Sequence, residues 1–217
     1  MDRTPSLNDR IHYPDPASRL MIQPHKTPDF SGSKDPTQLF HEDIEIKYSV
    51  SGKLHTLVND VLYTLTAGDI LVVNPFEFHA NVPINGQKCV YHLIEVHPDY
   101  FPAHGSGRLD LRAATENKQC FDTVIRQDTA LGGLIGLLAA EHSERGANYM
   151  TAGDLLLEVL FYKLLRNHTR TADTSGENVR PDAYANCFRN VVENHTQLLA
   201  KGSDGGTGGR WYGSENQ

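Results

Sequence analysis

Between residues 44 and 96 the chain runs in short apolar stretches, each closed by a turn signal. Ile44, Ile46, Tyr48 and Val50 alternate with Glu45, Lys47 and Ser49. That period of two belongs to a strand with one face on a core. Ser51-Gly52-Lys53 reads as a turn, Leu54 to Val58 as a second strand, and Asn59-Asp60 as the next turn. Val61 to Thr66 follows, then Ala67-Gly68-Asp69, then Ile70 to Val73, stopped by Asn74-Pro75. Asn85-Gly86 is a hairpin-type turn, and Cys89 to Val96 is a further strand ended by Pro98. Short strands at such regular spacing predict a β-sandwich or barrel.

From residue 128 the period changes. Leu131, Leu134, Ile135, Leu138 and His142 fall on one face of a helix. A second helix follows, with Thr151 as its cap and Asp154 three residues on. From Leu155 to Leu165 its apolar residues cover most of the circumference, broken by Glu158 and Lys163. A helix that apolar needs partners on two sides, such as its own barrel and a second subunit. Residues 169–182 are polar and read as a linker. Tyr184, Cys187, Phe188, Val191, Val192, His195 and Leu198 then mark a third amphipathic helix. The glycine-rich stretch over 200–217 has too little apolar content to order itself. The expected organisation is therefore an N-terminal arm over 1–37 able to lend one or two edge strands, a β-domain over 38–127, a helical pair over 128–168, a linker and third helix over 169–199, and a disordered tail over 200–217.

Charge and composition exclude several classes. Twenty Lys+Arg against 27 Asp+Glu leave a formal charge of −7 in 217 residues, the wrong sign for a surface that binds nucleic acid. No apolar run is long enough to span a bilayer, and Met1 to Pro5 does not open a secretory signal. Cys89, Cys120 and Cys187 are far apart and odd in number, as expected of reduced thiols in a cytoplasmic protein. No serine or cysteine sits in a nucleophile phrase, and no glycine-rich loop follows a strand to cradle phosphate.

The residues that carry chemistry lie between 38 and 80. His41 and Glu45 are four apart, Glu45 is followed by six residues and Gly52, and Gly68 is followed by ten residues and His79. This order and spacing resembles the two short motifs of the cupin superfamily: His-x-His, three or four residues, Glu, six residues, Gly, and later a Gly with a His eleven positions on. Two departures stand out. Leu39 occupies the place of the first histidine, and Pro83 that of a later asparagine. Within the cupins, "FHEDIEIKYSVSGK", "LTAGDILVVNPFEFHA" and "YHLIEVHPDYF" resemble the effector-binding domain of AraC-type transcription regulators over about residues 38–101. The likeness extends more weakly into the leucine-rich helices, and "FRNVVENHTQLL" resembles the opening helix of that family's DNA-binding unit.

The resemblance implies a mainly β fold with C-terminal helices: a cupin-like antiparallel β-barrel (double-stranded β-helix) followed by an α-helical hairpin. It implies a sensor that binds a small-molecule effector and forms a homodimer through the helices from Leu131 to His142 and from Leu155 to Leu165. DNA contact would come only through a helix-turn-helix domain that is mostly absent from these residues. His41, Glu45, His79, Tyr48, Tyr63 and His92 are the candidate ligand-binding residues. Tyr91 and Phe78 also offer aromatic faces, with core packing as the alternative for every ring. His41, Glu45 and His79 form a two-His-one-carboxylate set suited to Zn, Ni or Fe. Two other readings of that set stand beside it: a metal-free polar pocket, and a solvated strand face made by Asp43, Glu45 and Lys47. The alternative function is a metal-dependent cupin enzyme, an isomerase or dioxygenase acting on a small polar substrate. A third reading is a binding module that dimerises with intact regulators and blocks them.

Overall fold

The computed structural model describes residues 13–14, 19–28, 39–82, 88–104, 108–116 and 119–171, all within one unit, Met1–Thr174. The Asn85-Gly86 turn, the third helix from Tyr184 to Leu198 and the tail over 200–217 lie outside the described residues, as does most of the N-terminal arm.

In chain order the elements are β1 (Leu20–Lys26), β2 (Ile44–Val58), β3 (Val61–Thr66), β4 (Ile70–Val73), β5 (His79–Val82), β6 (Cys89–Val96), α1 (Tyr100–His104), α2 (Leu111–Glu116), β7 (Gln119–Phe121), β8 (Val124–Ile125), α3 (Thr129–Glu144), α4 (Tyr149–Asn167) and β9 (Thr169–Thr171). The main sheet has the order β1-β6-β2-β4-β8, and β3 and β5 both pair with the second half of β2. These pairings are all antiparallel. Among the described residues the hydrogen-bonded path does not close into a ring. The fold is therefore an open antiparallel cupin-like β-structure followed by two helices. β1, within the segment read as an arm, forms its edge strand. β9, at the start of the segment read as a linker, pairs with β7.

In place of the predicted turn at Ser51-Gly52-Lys53 the chain continues through one 15-residue strand, with a bulge just before it at Val50. The register of β2 on β6 shifts between Ser49 and Ser51. Gly52 has φ 77°, and a Cβ there would lie 2.0 Å from the carbonyl oxygen of Lys88. A left-handed glycine next to another strand is what a bulge demands, and from sequence it looks the same as a turn. The bulge also switches which side chains face inward. Before it Glu45, Lys47 and Ser49 are buried on the interior face; after it Leu54, Thr56 and Val58 are.

The sheet is buried on both faces. Ile44, Ile46, Ile70, Val72, Ile94 and Val96 pack with Leu131, Ile135, Leu138, Leu157, Leu160 and Phe161 of the two long helices. Leu54, Val58, Leu65, Leu71, Val73, Tyr91 and Leu93 form a second cluster on the other face. This explains the unbroken apolar run of β4, whose alternate residues serve opposite clusters. It also rules out the solvated-face reading of Asp43, Glu45 and Lys47, all of which are buried.

Asp128 caps α3, its Oδ1 accepting from the amides of Ala130 and Leu131. The predicted Thr151 cap of α4 is not used. Arg145 and Asn148 both take positive φ, the link between the helices is tight, and α4 begins at Tyr149 with no side-chain cap. Asp154, expected in the capping box, accepts instead from the Tyr100 hydroxyl. His168 at the end of α4 lies 3.2 Å from Asp128 and so ties the open ends of the helical pair together. α4 turns Leu157, Leu160, Phe161 and Leu164 to the core and leaves Leu155, Val159 and Tyr162 exposed. No helix among the described residues is long and apolar enough to cross a membrane.

Candidate functional site

An isolated antiparallel bridge joins Leu39 to His79. The Leu39 amide donates to the His79 carbonyl at 2.8 Å, and the His79 amide to the Leu39 carbonyl at 2.9 Å. Opposed residues, and those two along a strand, share a face. His41 is therefore turned to the side of His79. A third tie, from the Phe76 amide to the His41 carbonyl at 2.7 Å, fixes the same segment from the far side. Glu45 enters from β2 beneath both rings.

The two histidines are held alike. His41 Nδ1–H donates to the Asp43 carbonyl at 3.1 Å, and His79 Nδ1–H to the Glu77 carbonyl at 3.0 Å. Each backbone contact commits Nδ1 and leaves Nε2 for the site. The Nε2 atoms lie 3.9 and 3.7 Å from Glu45 Oε2, and the rings meet edge to face with centroids 4.8 Å apart. One donor atom from each of the three residues falls within 4.8 Å of the others. His41 Nε2 is buried without a hydrogen-bond partner. Two free imidazole nitrogens and a carboxylate at this spacing fit a divalent transition metal.

The electrostatics follow from burial and the company each group keeps. Burial works against a charge on Glu45, but the Lys47 ammonium and the two imidazoles outweigh it and hold the carboxyl well below the usual range. Lys47 Nζ sits 2.7 Å from Glu45 Oε1, at an angle that leaves that oxygen without a proper hydrogen bond. It donates to Asn81 Oδ1 at 3.1 Å. Burial also opposes charge on His41, yet Glu45 more than offsets it and the ring is pushed up. In His79 burial prevails and the ring is pushed down. Burial pushes Glu95 up, and the neighbouring Glu45 charge adds to the effect.

These groups open into a cavity of about 140 Å³ that Lys26, Asn81, Tyr91, Leu93 and Glu95 also line. That is below the ~300–1,000 Å³ of pockets for drug-sized ligands and suits a compact polar guest. Of the six residues singled out from sequence, the fold brings His41, Glu45 and His79 together here. Tyr48 and His92 are Cα partners in the β2–β6 ladder and stack on each other with centroids 6.1 Å apart. Their register places them on the helix-facing side, where the Tyr48 ring meets Gly132 of α3. His92 Nδ1 accepts from the His25 amide. Tyr63 packs against the second apolar cluster. Tyr91 lines the cavity, whereas Phe78 packs on Phe40. Lys47, Asn81 and Glu95 were not foreseen. The available signal was parity: Glu95 falls on the same strand face as Tyr91 and Leu93, which is otherwise apolar.

Residues 34–165 match the AraC-like ligand binding domain, and the chain belongs to that family. No curated protein matches it. Among solved structures it is similar to a Cupin 2 conserved barrel domain protein from Salinispora arenicola, at 14% identity and TM-score 0.29 over 42% of this chain and 73% of that one. It is similar to the polyketide cyclase RemF from Streptomyces resistomycificus, at 21% identity and TM-score 0.28 over 38% of this chain and 57% of that one. A third is the oxalate decarboxylase of Bacillus subtilis, a protein with Mn(II) centres. There the identity is 12% and the TM-score 0.28, over 37% of this chain and 22% of that one.

Proposed function

We propose that the chain is the effector-sensing and dimerisation module of a cytoplasmic AraC-type transcription regulator. A small polar molecule enters the cavity beside His41, Glu45 and His79, and the helices over 131–142 and 155–165 pair with those of a second copy. The observation that carries this reading is a buried, polar, preformed cavity inside a ligand-binding family. In this reading the chain divides as the sequence suggests, into an arm over 1–37, the β-domain over 38–127, helices over 128–168, and the segments read from sequence as a linker and third helix over 169–199 and a glycine-rich stretch over 200–217. DNA contact belongs to a helix-turn-helix unit whose first helix residues 184–198 resemble. The effector acts by population shift, favouring the arrangement of arm and helices to which it binds better. The test is a thermal-shift screen of small polar compounds on the full chain. At least one is expected to raise Tm in the wild type and to lose its effect in His79→Ala. A screen in which every stabilising compound acts equally on both proteins would place the effector elsewhere.

A second reading has its own support: the committed Nδ1 atoms and the two Nε2 atoms aimed at Glu45. In it His41, Glu45 and His79 hold a divalent transition metal (Zn, Ni or Fe), in a metal-dependent sensor or a cupin isomerase or dioxygenase. When bound, such an ion supplies Lewis-acid polarisation of a ligand oxygen. The chain's own residues orient the guest: Lys47 and Asn81 offer donors, and the apolar wall of Leu93 limits water. The test is elemental analysis of untagged protein purified without a nickel column or chelator. About one equivalent per chain, lost in His41→Ala and His79→Ala, supports the metal. Substoichiometric metal indifferent to both changes leaves a metal-free pocket.

A further inference from the structure

The cavity holds a second carboxyl that the three-donor group leaves out. Glu95 stands directly opposite Glu45 in the β2–β6 ladder. Directly opposed residues project to the same face, with Cβ atoms about 4.5–5.5 Å apart, and both side chains line the same cavity. Glu95 is only 6% exposed, and its Oε2 is buried without a hydrogen-bond partner. Glu45 has Lys47 at 2.7 Å; among the described residues no ion pair reaches Glu95.

Two carboxyls side by side away from water repel each other unless a proton or a cation stands between them. A shared proton would relieve the carboxyls but would leave His41 Nε2, buried without a hydrogen-bond partner 3.9 Å from Glu45, unsatisfied, and would make no use of His79 Nε2 at 3.7 Å. A divalent cation satisfies all four groups. It also accounts for the choice of side chain at position 95, an acid in a strand that is otherwise apolar on this face at Leu93 and Tyr91.

Building on the metal reading of the cavity, we propose that Glu95 is a fourth protein donor, so that the site is a set of two histidines and two carboxylates drawn from the segment before β2, from β2, from β5 and from β6. Leu39, which lines the same cavity, contributes no donor, and Glu95 supplies one from the opposite strand.

The experiment uses the full chain stripped with a chelator that is then removed. Zn²⁺ is titrated by competition with a chromophoric chelator, and Co²⁺ loading is followed by visible absorption, which reports the number and kind of donors. The proteins are wild type, Glu95→Gln, Glu95→Asp and His41→Ala. The wild type is expected to bind about one Zn²⁺ per chain. Glu95→Gln should bind at least ~10–100-fold more weakly, taking the loss for outer-shell partners as a floor, and should shift the Co²⁺ band. Glu95→Asp should recover part of both. Zn²⁺ affinity and Co²⁺ band unchanged in Glu95→Gln, with both lost in His41→Ala, would overturn the role of Glu95 while leaving the metal reading standing. A wild type that takes up no metal would overturn both. If Glu95→Gln does not fold, the Co²⁺ band of Glu95→Asp decides: a band identical to wild type at equal affinity counts against the proposal.

Discussion

At the scale of single residues, the pair Glu45–Lys47 of the candidate site also bears on stability. Both are buried, and each is the other's main compensation. Removing one partner of such a pair typically costs ~3–5 kcal/mol, because the survivor is left as an unpaired buried charge. Lys47→Met should therefore lower stability by about that much in urea unfolding, and Lys47→Met combined with Glu45→Gln should be more stable than Lys47→Met alone. A double variant as unstable as the single would mean that Lys47 matters for its packing. A milder electrostatic case is the more exposed Glu42. Hydrogen bonding to His97, and then to Arg112, outweighs partial burial and holds the Glu42 carboxyl down at about 2. A carboxyl whose folded value lies below its ordinary value near 4.3 contributes stability above the ordinary value and loses it as pH falls through the folded one. Glu42→Gln should thus lower Tm at pH 7, and its deficit should shrink between about pH 4.5 and pH 2. His41, Glu45 and His79 were legible from their order and spacing read against the cupin motifs they resemble. Lys47 and Glu95 were not, because alternation tells two faces apart without saying which of them is wet.

At the scale of elements, the bulge in β2 sets which residues reach the cavity and which build the second apolar cluster. The left-handed backbone at Gly52 alone makes Gly52→Ala unfavourable by ~1–2 kcal/mol. The approach to the Lys88 carbonyl adds to that, so the total loss in an equilibrium unfolding curve should exceed the backbone figure. A neutral Gly52→Ala would mean that β2 and β6 separate there at no cost. The strands β3, β4 and β6 have the bounds the sequence suggests, since each is closed by Gly, Asn, Asp or Pro. The start of α4 was misread because a Thr-x-x-Asp phrase fits a capping box whether or not the chain outside it bends there. The apolar girdle of α4 was legible, and the fold covers only one side of it. Leu155 and Val159 remain 61% and 45% exposed, four residues apart on one face. Such a face suits the seam of the proposed homodimer. In the dimer proposed above, Val159→Glu should convert the protein to a monomer in light scattering and leave its circular dichroism unchanged. A wild type that is already monomeric at the same concentration would remove α4 as the seam.

At the scale of the whole molecule, the apolar core and the candidate site occupy different parts of the fold. The helices and the outer face of the sheet share one continuous apolar cluster. The interior face divides in two, apolar around Leu54, Leu65 and Tyr91 and polar around His41, Glu45 and Glu95. Among the described residues, buried side-chain atoms without a hydrogen-bond partner are His41 Nε2, Glu45 Oε1, Glu95 Oε2 and Ser49 Oγ, and the first three belong to the cavity. Such an atom costs ~1–3 kcal/mol when buried, and less at Glu45 Oε1, where the Lys47 ammonium stands at 2.7 Å. The apolar cluster therefore carries a polar end that is incomplete by itself, and whatever completes it binds the folded chain and not the unfolded one. If the completing group is a divalent cation, linkage sets the size of the effect. A free concentration one hundred times Kd adds ~2.7 kcal/mol, and for a chain of this length each kcal/mol moves Tm by roughly 2–4 °C. Zn²⁺ at that excess should raise Tm by roughly 5–10 °C, chelator should reverse the shift, and His41→Ala should abolish it. A Tm indifferent to Zn²⁺, Ni²⁺ and Fe²⁺ but raised by an uncharged polar compound would assign the same unsatisfied atoms to an organic effector, since the same three atoms can be completed only once.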